Sequence, residues 1–140
     1  MPPPEPNRPV GFVPLGIFFY FGATMASYAA VTLAHPGTFL DRLWALNPSA
    51  HIQLGTLGPV MAVPFTVLAA VMVATGVGWF RRRRWAWILG VSGIAVNMLG
   101  DLVNALLGEW VKGAVGVSIA GLLLLYMTRP QVRSYFVSRT

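Results

Sequence analysis

The sequence RRRRWAWILGVSGIAVNMLGDLVNALLG, residues Arg81–Gly108, decides the fold class. Four consecutive arginines precede an apolar run of about 23 residues, which at ~1.5 Å per residue can cross a hydrocarbon core of ~30 Å. Asp101 is the one charged residue inside that run. The stretch therefore predicts a membrane-spanning helix that begins beside a strongly basic turn.

Small and polar residues of this helix share one face. At ~100° per residue they fall within an arc of roughly 100°. The opposite face is built almost entirely from Leu, Ile, Val, Met and Ala. Because polar groups are costly against lipid, the stripe is predicted to face protein or a water-filled cavity, which places the helix in a bundle. The stripe contains Gly90, Gly93, Asn97, Gly100, Asp101, Asn104 and Gly108.

Composition confines the whole chain to the membrane class. Of 140 residues, 56% are hydrophobic and 10% are charged, whereas ordinary soluble domains carry about 25% charged residues. The length fits one membrane domain. The absence of cysteine excludes disulfides, thiol chemistry, iron–sulfur clusters and cysteine-ligated zinc.

The predicted architecture is an all-α, integral membrane four-helix bundle. The four spans are predicted at 12–34, 48–80, 85–107 and 110–128, after a disordered Pro-rich tail (1–11) and before a basic tail (129–140). A short amphipathic interfacial helix is expected between helices 1 and 2, over 38–46. The second span is longer than a bilayer requires, and kinks are expected at Gly58–Pro59 and at Pro64.

Small residues at alternating steps of four and three predict close, left-handed helix packing. In the first span this face includes Tyr20, and in the second it begins at His51. The predicted faces are Gly16, Tyr20, Ala23, Ser27, Ala30 and Ala34; His51, Gly55, Gly58, Ala62, Thr66, Ala69, Val73 and Gly76; and Gly113, Gly116 and Ala120.

The net charge of +6 is explained by topology rather than by nucleic acid. The arginines lie at the ends of apolar segments, where the positive-inside rule places them. Both termini are therefore predicted to be cytoplasmic, in the inner membrane if the protein is bacterial. The predicted partner of Arg81–Arg84 is the lipid bilayer, and the tail carrying Val132, Tyr135 and Phe136 is expected to lie on anionic lipid.

Asp101 is the sharpest candidate for function, and two interpretations of it remain open. As a binding site it would take a proton, a cation or a cationic solute, with Asn97 and Asn104 beside it and His51 near the outer mouth. As a packing device it would instead be held by Asn104, or by Tyr20, Ser27 or Tyr28 of the first helix. Tyr20 is the first-helix residue that we include in the candidate ligand-binding set.

The other polar residues do not predict a metal, a cofactor or a catalytic group. His35, Asp41, His51 and Glu109 all belong to the predicted outer side, without the spacing of a metal or haem site. Asp101 and His51 are expected ~10–15 Å apart in depth, which disfavours an acid–base pair and hence an enzyme.

The sequence thus favours a small protein that binds or transports a solute or ion through a polar pocket centred on Asp101. Its small size implies a homo-oligomer. The alternative is a non-catalytic accessory subunit of a larger membrane complex.

Overall fold

The computed structural model describes residues 7–137, so the predictions for residues 1–6 and 138–140 lie outside it. Within that range every regular element is a helix. The predicted all-α class is confirmed. The elements are α1 (Phe12–Ala34), a 3₁₀ helix (Phe39–Leu46), α2 (Pro48–Thr56), a second 3₁₀ helix (Gly58–Met61), α3 (Ala62–Phe80), α4 (Arg84–Leu106), α5 (Trp110–Met127) and α6 (Pro130–Val137).

Four helical segments are long and apolar enough to cross a membrane: Phe12–Ala34, Gly58–Phe80, Arg84–Leu106 and Trp110–Met127. The chain is a multi-pass membrane protein. The short helix predicted between the first two spans is present as the 3₁₀ helix Phe39–Leu46.

The second predicted span, 48–80, is not one continuous helix. The α-helix ends at Thr56 and resumes only at Ala62, with a 3₁₀ turn between. Gly58 adopts φ +72°, a left-handed conformation that glycine tolerates, and Pro59 has no amide proton to continue the ladder. The expected kink is therefore a full interruption, and the apolar part that can span begins at Gly58.

The chain divides into two compact units, which we name by their characteristic side chains. The histidine unit is Leu15–Gly76, and the arginine unit is Met1–Pro14 with Val77–Thr140. In the histidine unit, the Met72 side chain lies over Gly22, and the Tyr20 ring lies over Gly76. Glycine allows each of these close approaches because a Cβ would occupy the same space.

The buried face of α1 is shifted from the predicted one. Ser27 is exposed, and so is much of Tyr20, although its ring touches Gly76. Leu15 and Phe19 are buried instead, and large side chains make more dispersion contacts when packed than small ones. The buried residues of α1 in this unit include Leu15, Phe19, Ala23, Ala26, Ala30 and Leu33.

The core of the arginine unit is aromatic. Trp79 is completely buried, and its ring centroid lies 4.6 Å from that of Phe136. The Trp79 indole N–H donates to the Phe12 carbonyl at 2.8 Å, and that of Trp87 donates to the Met127 carbonyl at 2.9 Å. The indole N–H groups of the buried Trp79 and the half-buried Trp87 are thus both hydrogen-bonded.

The C-terminal tail differs from the predicted lipid-bound segment. Residues Pro130–Val137 form α6, and its Val132, Tyr135 and Phe136 are buried in protein. At the other terminus, the Tyr126 hydroxyl donates to the Val10 carbonyl at 2.5 Å. Both tails are therefore attached to the arginine unit over their described parts.

Two turns of the arginine unit share one backbone motif. After α3, Arg82 N–H donates to Trp79 O and Arg83 N–H to Gly78 O. After α4, Gly108 N–H donates to Ala105 O and Glu109 N–H to Asn104 O. This is the Schellman pattern, which needs a residue with positive φ. Arg82 (φ 56°) and Gly108 (φ 110°) supply it.

Candidate functional site

The Asp101 carboxylate lies on α4, partly buried and one helical turn after its nearest polar partner. The Asn97 side-chain amide donates to Asp101 Oδ2 at 3.0 Å. Residues four apart on a helix lie one above the other, so α4 itself positions this pair. Two of the predicted site residues are thereby brought together, and both belong to a membrane-spanning helix.

Glycines of α5 form the floor beneath the carboxylate. A Cβ built on Gly116 would collide with the Asp101 carboxylate. One on Gly113 would lie 2.6 Å from the Asp101 carbonyl oxygen and 2.7 Å from the Ala105 nitrogen. The close approach of α4 and α5 therefore depends on two missing side chains. The sequence marked Gly113, Gly116 and Ala120 as a packing face, which is confirmed, but not as the neighbours of Asp101.

The remaining part of the polar stripe is exposed. Asn97 and Asn104 are exposed, and nothing lies within 4 Å of a Cβ placed on Gly93 or Gly100. Gly90, by contrast, is buried. The arginine unit therefore covers only one side of the stripe. It leaves a polar flank, which we define as Gly93, Asn97, Gly100 and Asn104, open beside Asp101.

His51 and Tyr20 belong to the histidine unit, where each has neighbours that the sequence did not indicate. The His51 ring is stacked on Trp44, with centroids 5.2 Å apart and an interplanar angle of 16°. His51 Nε2 lies 4.0 Å from Asp41 Oδ1. The Trp44 indole in turn donates to the buried Thr32 hydroxyl at 2.9 Å. This His51 cluster joins the 3₁₀ helix, α2 and α1 within the histidine unit.

Charge in the His51 cluster is only partly compensated. Asp41 Oδ2 accepts from the Gly37 amide at 2.8 Å, while the buried Asp41 Oδ1 has no hydrogen-bond partner within residues 7–137. Across residues 7–137, no three His, Asp or Glu side chains come together as a metal site. The cluster is an aromatic and electrostatic contact rather than a recognisable ligand set.

The first-helix hydroxyls suggested as holders of Asp101 have other arrangements. Ser27 donates to the Ala23 carbonyl at 2.8 Å, within its own helix. The Tyr28 hydroxyl is buried without a hydrogen-bond partner among the described residues. The hydrogen bond found for the Asp101 carboxylate is the one from Asn97, on the same helix. Asn104 binds through its backbone, since its carbonyl accepts from Glu109.

No protein-family model matches the chain, and no curated protein and no solved structure matches it. The fold and the site define its class: a multi-pass membrane protein with four helices able to span, the third of which carries a partly buried carboxylate. Any function must therefore be argued from the Asp101 site.

Proposed function

We propose that the protein binds, and in its assembled form transports, a small cation or cationic solute at Asp101. The observation that carries the proposal is the Asn97–Asp101 pair inside an apolar span. A carboxylate at the centre of a spanning helix costs ~2.5–3.5 kcal/mol on insertion scales, and ionisable residues within such helices are usually paired or functional. Asp101 lies nearer the end of α4 (Leu106), where the cost is smaller but the same argument applies.

The surroundings of Asp101 leave it available for a cation. The Asn97 amide is neutral and satisfies one carboxylate oxygen without cancelling the negative charge. On the α5 side, Gly113 and Gly116 contribute no side chain, so only helix backbone lies against the carboxylate there. Asn97 and Asn104 provide amide oxygens on the adjoining flank, and carboxylate and amide oxygens suit hard cations.

The site is proposed to be completed by oligomerisation. Within the polar flank, the residues recur at steps of four, three and four, which is the spacing of a left-handed helix pair. Asparagine is both donor and acceptor, so two copies of the flank can bond to one another. A second copy would bring two more amides towards each carboxylate.

The experiment compares proteoliposomes that contain wild-type protein, Asp101→Asn or Glu109→Gln. Asn is nearly isosteric with Asp, and Glu109 is an exposed carboxylate that already pairs with Lys112 at 3.1 Å. We expect dissipation of an imposed proton or sodium gradient by wild type and Glu109→Gln, and its loss in Asp101→Asn. Equal flux from wild type and folded Asp101→Asn would refute the proposal.

A second candidate function, an accessory subunit of a larger complex, rests on the same exposed flank. In that case the flank would contact a different chain, and Asp101→Asn would fail in assembly rather than in flux. Native mass spectrometry of the protein extracted from its own membrane separates the two. A mass built only from this chain favours the homo-oligomer, and a defined mass that includes other chains favours the accessory subunit.

The proposed topology places both termini in the cytoplasm. Its support is the contact between the arginine turn and α6, because the Arg82 guanidinium lies 3.8 Å from the Tyr135 ring centroid. Turn and C-terminal helix thus share one end of the arginine unit, and positive-inside topology assigns that end to the cytoplasm. The chain has no cysteine, so a single Ser134→Cys variant can be labelled with an impermeant maleimide in intact cells to test this topology. We expect no labelling from outside, and rapid labelling would mean that the C-terminal helix faces the outside.

A further inference from the structure

The arginines at the aromatic end of the arginine unit divide into two kinds. Arg82 points inward: its Nε and Nη2 groups donate to the Tyr135 carbonyl at 3.3 and 3.2 Å, and its guanidinium stacks on the Tyr135 ring. Its side chain attaches the turn to α6. Arg8 lies over the Phe12 ring, with 5.9 Å between its guanidinium carbon and the ring centroid, and five further arginines are exposed: Arg81, Arg83, Arg84, Arg129 and Arg133.

These five exposed arginines, which we call the arginine face, lie on the turn after α3, at the start of α4 and at α6, and the Arg82–Tyr135 contact joins the turn to α6. Over the described residues of the arginine unit, the acidic residues are Asp101 and Glu109, and neither is ion-paired with an arginine of this face. Asp101 lies 17 positions beyond Arg84 on α4, which corresponds to roughly 25 Å of helix. The charge of the face is therefore not neutralised within the described part of its own unit.

Burial of the apolar side of α6 fixes the position of the arginines at this helix. Val132, Tyr135 and Phe136 are buried in the core, which holds α6 in place. Arg133 is exposed on this helix, and Arg129 is exposed just before its start at Pro130. A loose tail would spread the same charges over many positions. Here two arms, the turn after α3 and helix α6, are connected by the Arg82–Tyr135 contact.

The membrane supplies the matching partner. The arginine face adjoins the ends of α3 and α5 and the start of α4, which all belong to candidate spans. Trp85 is also exposed, and tryptophan favours the headgroup region of a membrane. Arginine forms paired, bidentate hydrogen bonds with phosphate, which lysine does not. The first turn of α4 adds its positive end, because Arg83 at the N-cap makes no side-chain cap bond.

We propose that the arginine face is a binding site for the phosphate headgroup of an anionic phospholipid. The site uses Arg83 and Arg84 from the turn and from α4, together with Arg133 of α6 and Arg129, the residue before α6. Arg82 does not contact the lipid and acts as a positioning residue. This inference is independent of whether Asp101 binds a cation.

The test measures lipid retained by the full-length protein. Wild type is purified in mild detergent containing equal amounts of POPC and POPG, and bound lipids are counted by native mass spectrometry. We expect preferential retention of POPG and, at ~1 kcal/mol for each basic residue near an anionic surface, a loss of roughly tenfold or more in POPG affinity for Arg129→Gln/Arg133→Gln. The control is Lys112→Gln, which should retain POPG normally. Lys112 is an exposed cation near the start of α5, whereas Arg129 follows the end of that helix.

A second pair of variants separates a site from general charge attraction. Arg129→Lys/Arg133→Lys keeps both charges but loses the bidentate geometry, and we expect it to retain less POPG than wild type. Thermal melting by circular dichroism verifies that every variant is folded. POPG retention that is the same in wild type and in a folded Arg129→Gln/Arg133→Gln variant overturns the proposal, as does an equal loss in Lys112→Gln.

Discussion

The turn after α3 and the turn after α4 have the same hydrogen-bonding pattern but opposite surroundings. At the first, the left-handed position is held by Arg82, and the side chain that makes this conformation costly is bound to Tyr135. At the second, glycine occupies that position, and Leu107 (79% exposed) and Trp110 (70% exposed) lie nearby. The comparison teaches that tertiary contacts hold the left-handed residue of the first turn, whereas the backbone freedom of glycine allows that conformation at the second.

The two turns also lead to different parts of the molecule. The arginine turn leads into α4, beside the aromatic core. There the indole N–H groups of Trp79 and Trp87 are both hydrogen-bonded. The glycine turn closes the α4–α5 pair that holds Asp101, where the polar flank is open. Stability is concentrated at the first, and the proposed binding chemistry lies near the second.

Trp79→Ala should lower the free energy of unfolding more than any other change proposed for the two turns, because it removes the centre of the core beside the arginine turn. Trp79 has no exposed surface and donates to the Phe12 carbonyl. Truncation of such a residue costs ~3–5 kcal/mol, measured as the free energy of unfolding by SDS titration in mixed micelles. Trp110→Ala, at the open turn, is the matched control and should change it little. Similar losses in both variants would show that the two ends are equally packed.

Gly108→Ala should weaken the glycine turn by a smaller amount. At φ 110°, an L-residue is strained by about 1–2 kcal/mol, and no neighbouring contact is available to offset that cost. The same SDS titration measures it. Gly121→Ala in α5 also meets open space but has helical backbone, so it should be neutral or slightly stabilising. A neutral Gly108→Ala would mean that this turn can rearrange freely.

Arg82→Gly should have the smallest effect on stability, because two terms oppose each other. Glycine removes left-handed strain of about 1–2 kcal/mol, but the cation–π contact and hydrogen bonds to Tyr135 are lost, at a similar cost. We expect a net change within about 1 kcal/mol.

The sharper measurement for Arg82→Gly is the release of α6. Trypsin cleavage after Arg133 should become several-fold faster, because α6 loses its attachment to the turn. Arg83→Gly, which removes an arginine without a Tyr135 contact, is the control. Unchanged cleavage in Arg82→Gly would show that the buried face of α6 holds the helix without Arg82.

Much of the fold could be predicted because it depends on residues that are close together in the chain. Crossing a membrane requires only enough consecutive apolar residues, and a helix end requires only a glycine, a proline or a charged turn. Spans one, three and four were thus predicted almost to the residue. The second span was predicted too long. The helical spacing of its small residues continues through Gly58–Pro59, but the α-helix itself is interrupted there.

Residue order alone indicated the all-α membrane class, spans one, three and four, and a shared helix face for Asn97, Asp101 and Asn104, because residues three and four apart on a helix lie on one side. It favoured Asn104 as the partner of Asp101 on that helix, whereas the structure pairs Asp101 with Asn97. Tertiary structure alone decided that Gly113 and Gly116 support Asp101, that His51 stacks on Trp44, and that Arg82 binds Tyr135. These contacts join residues far apart in the chain or on different helices, and periodicity carries no information about which face meets which. The same reason explains α6: its apolar residues suit lipid and protein equally, and only the position of Trp79 and Phe12 directs them into the core.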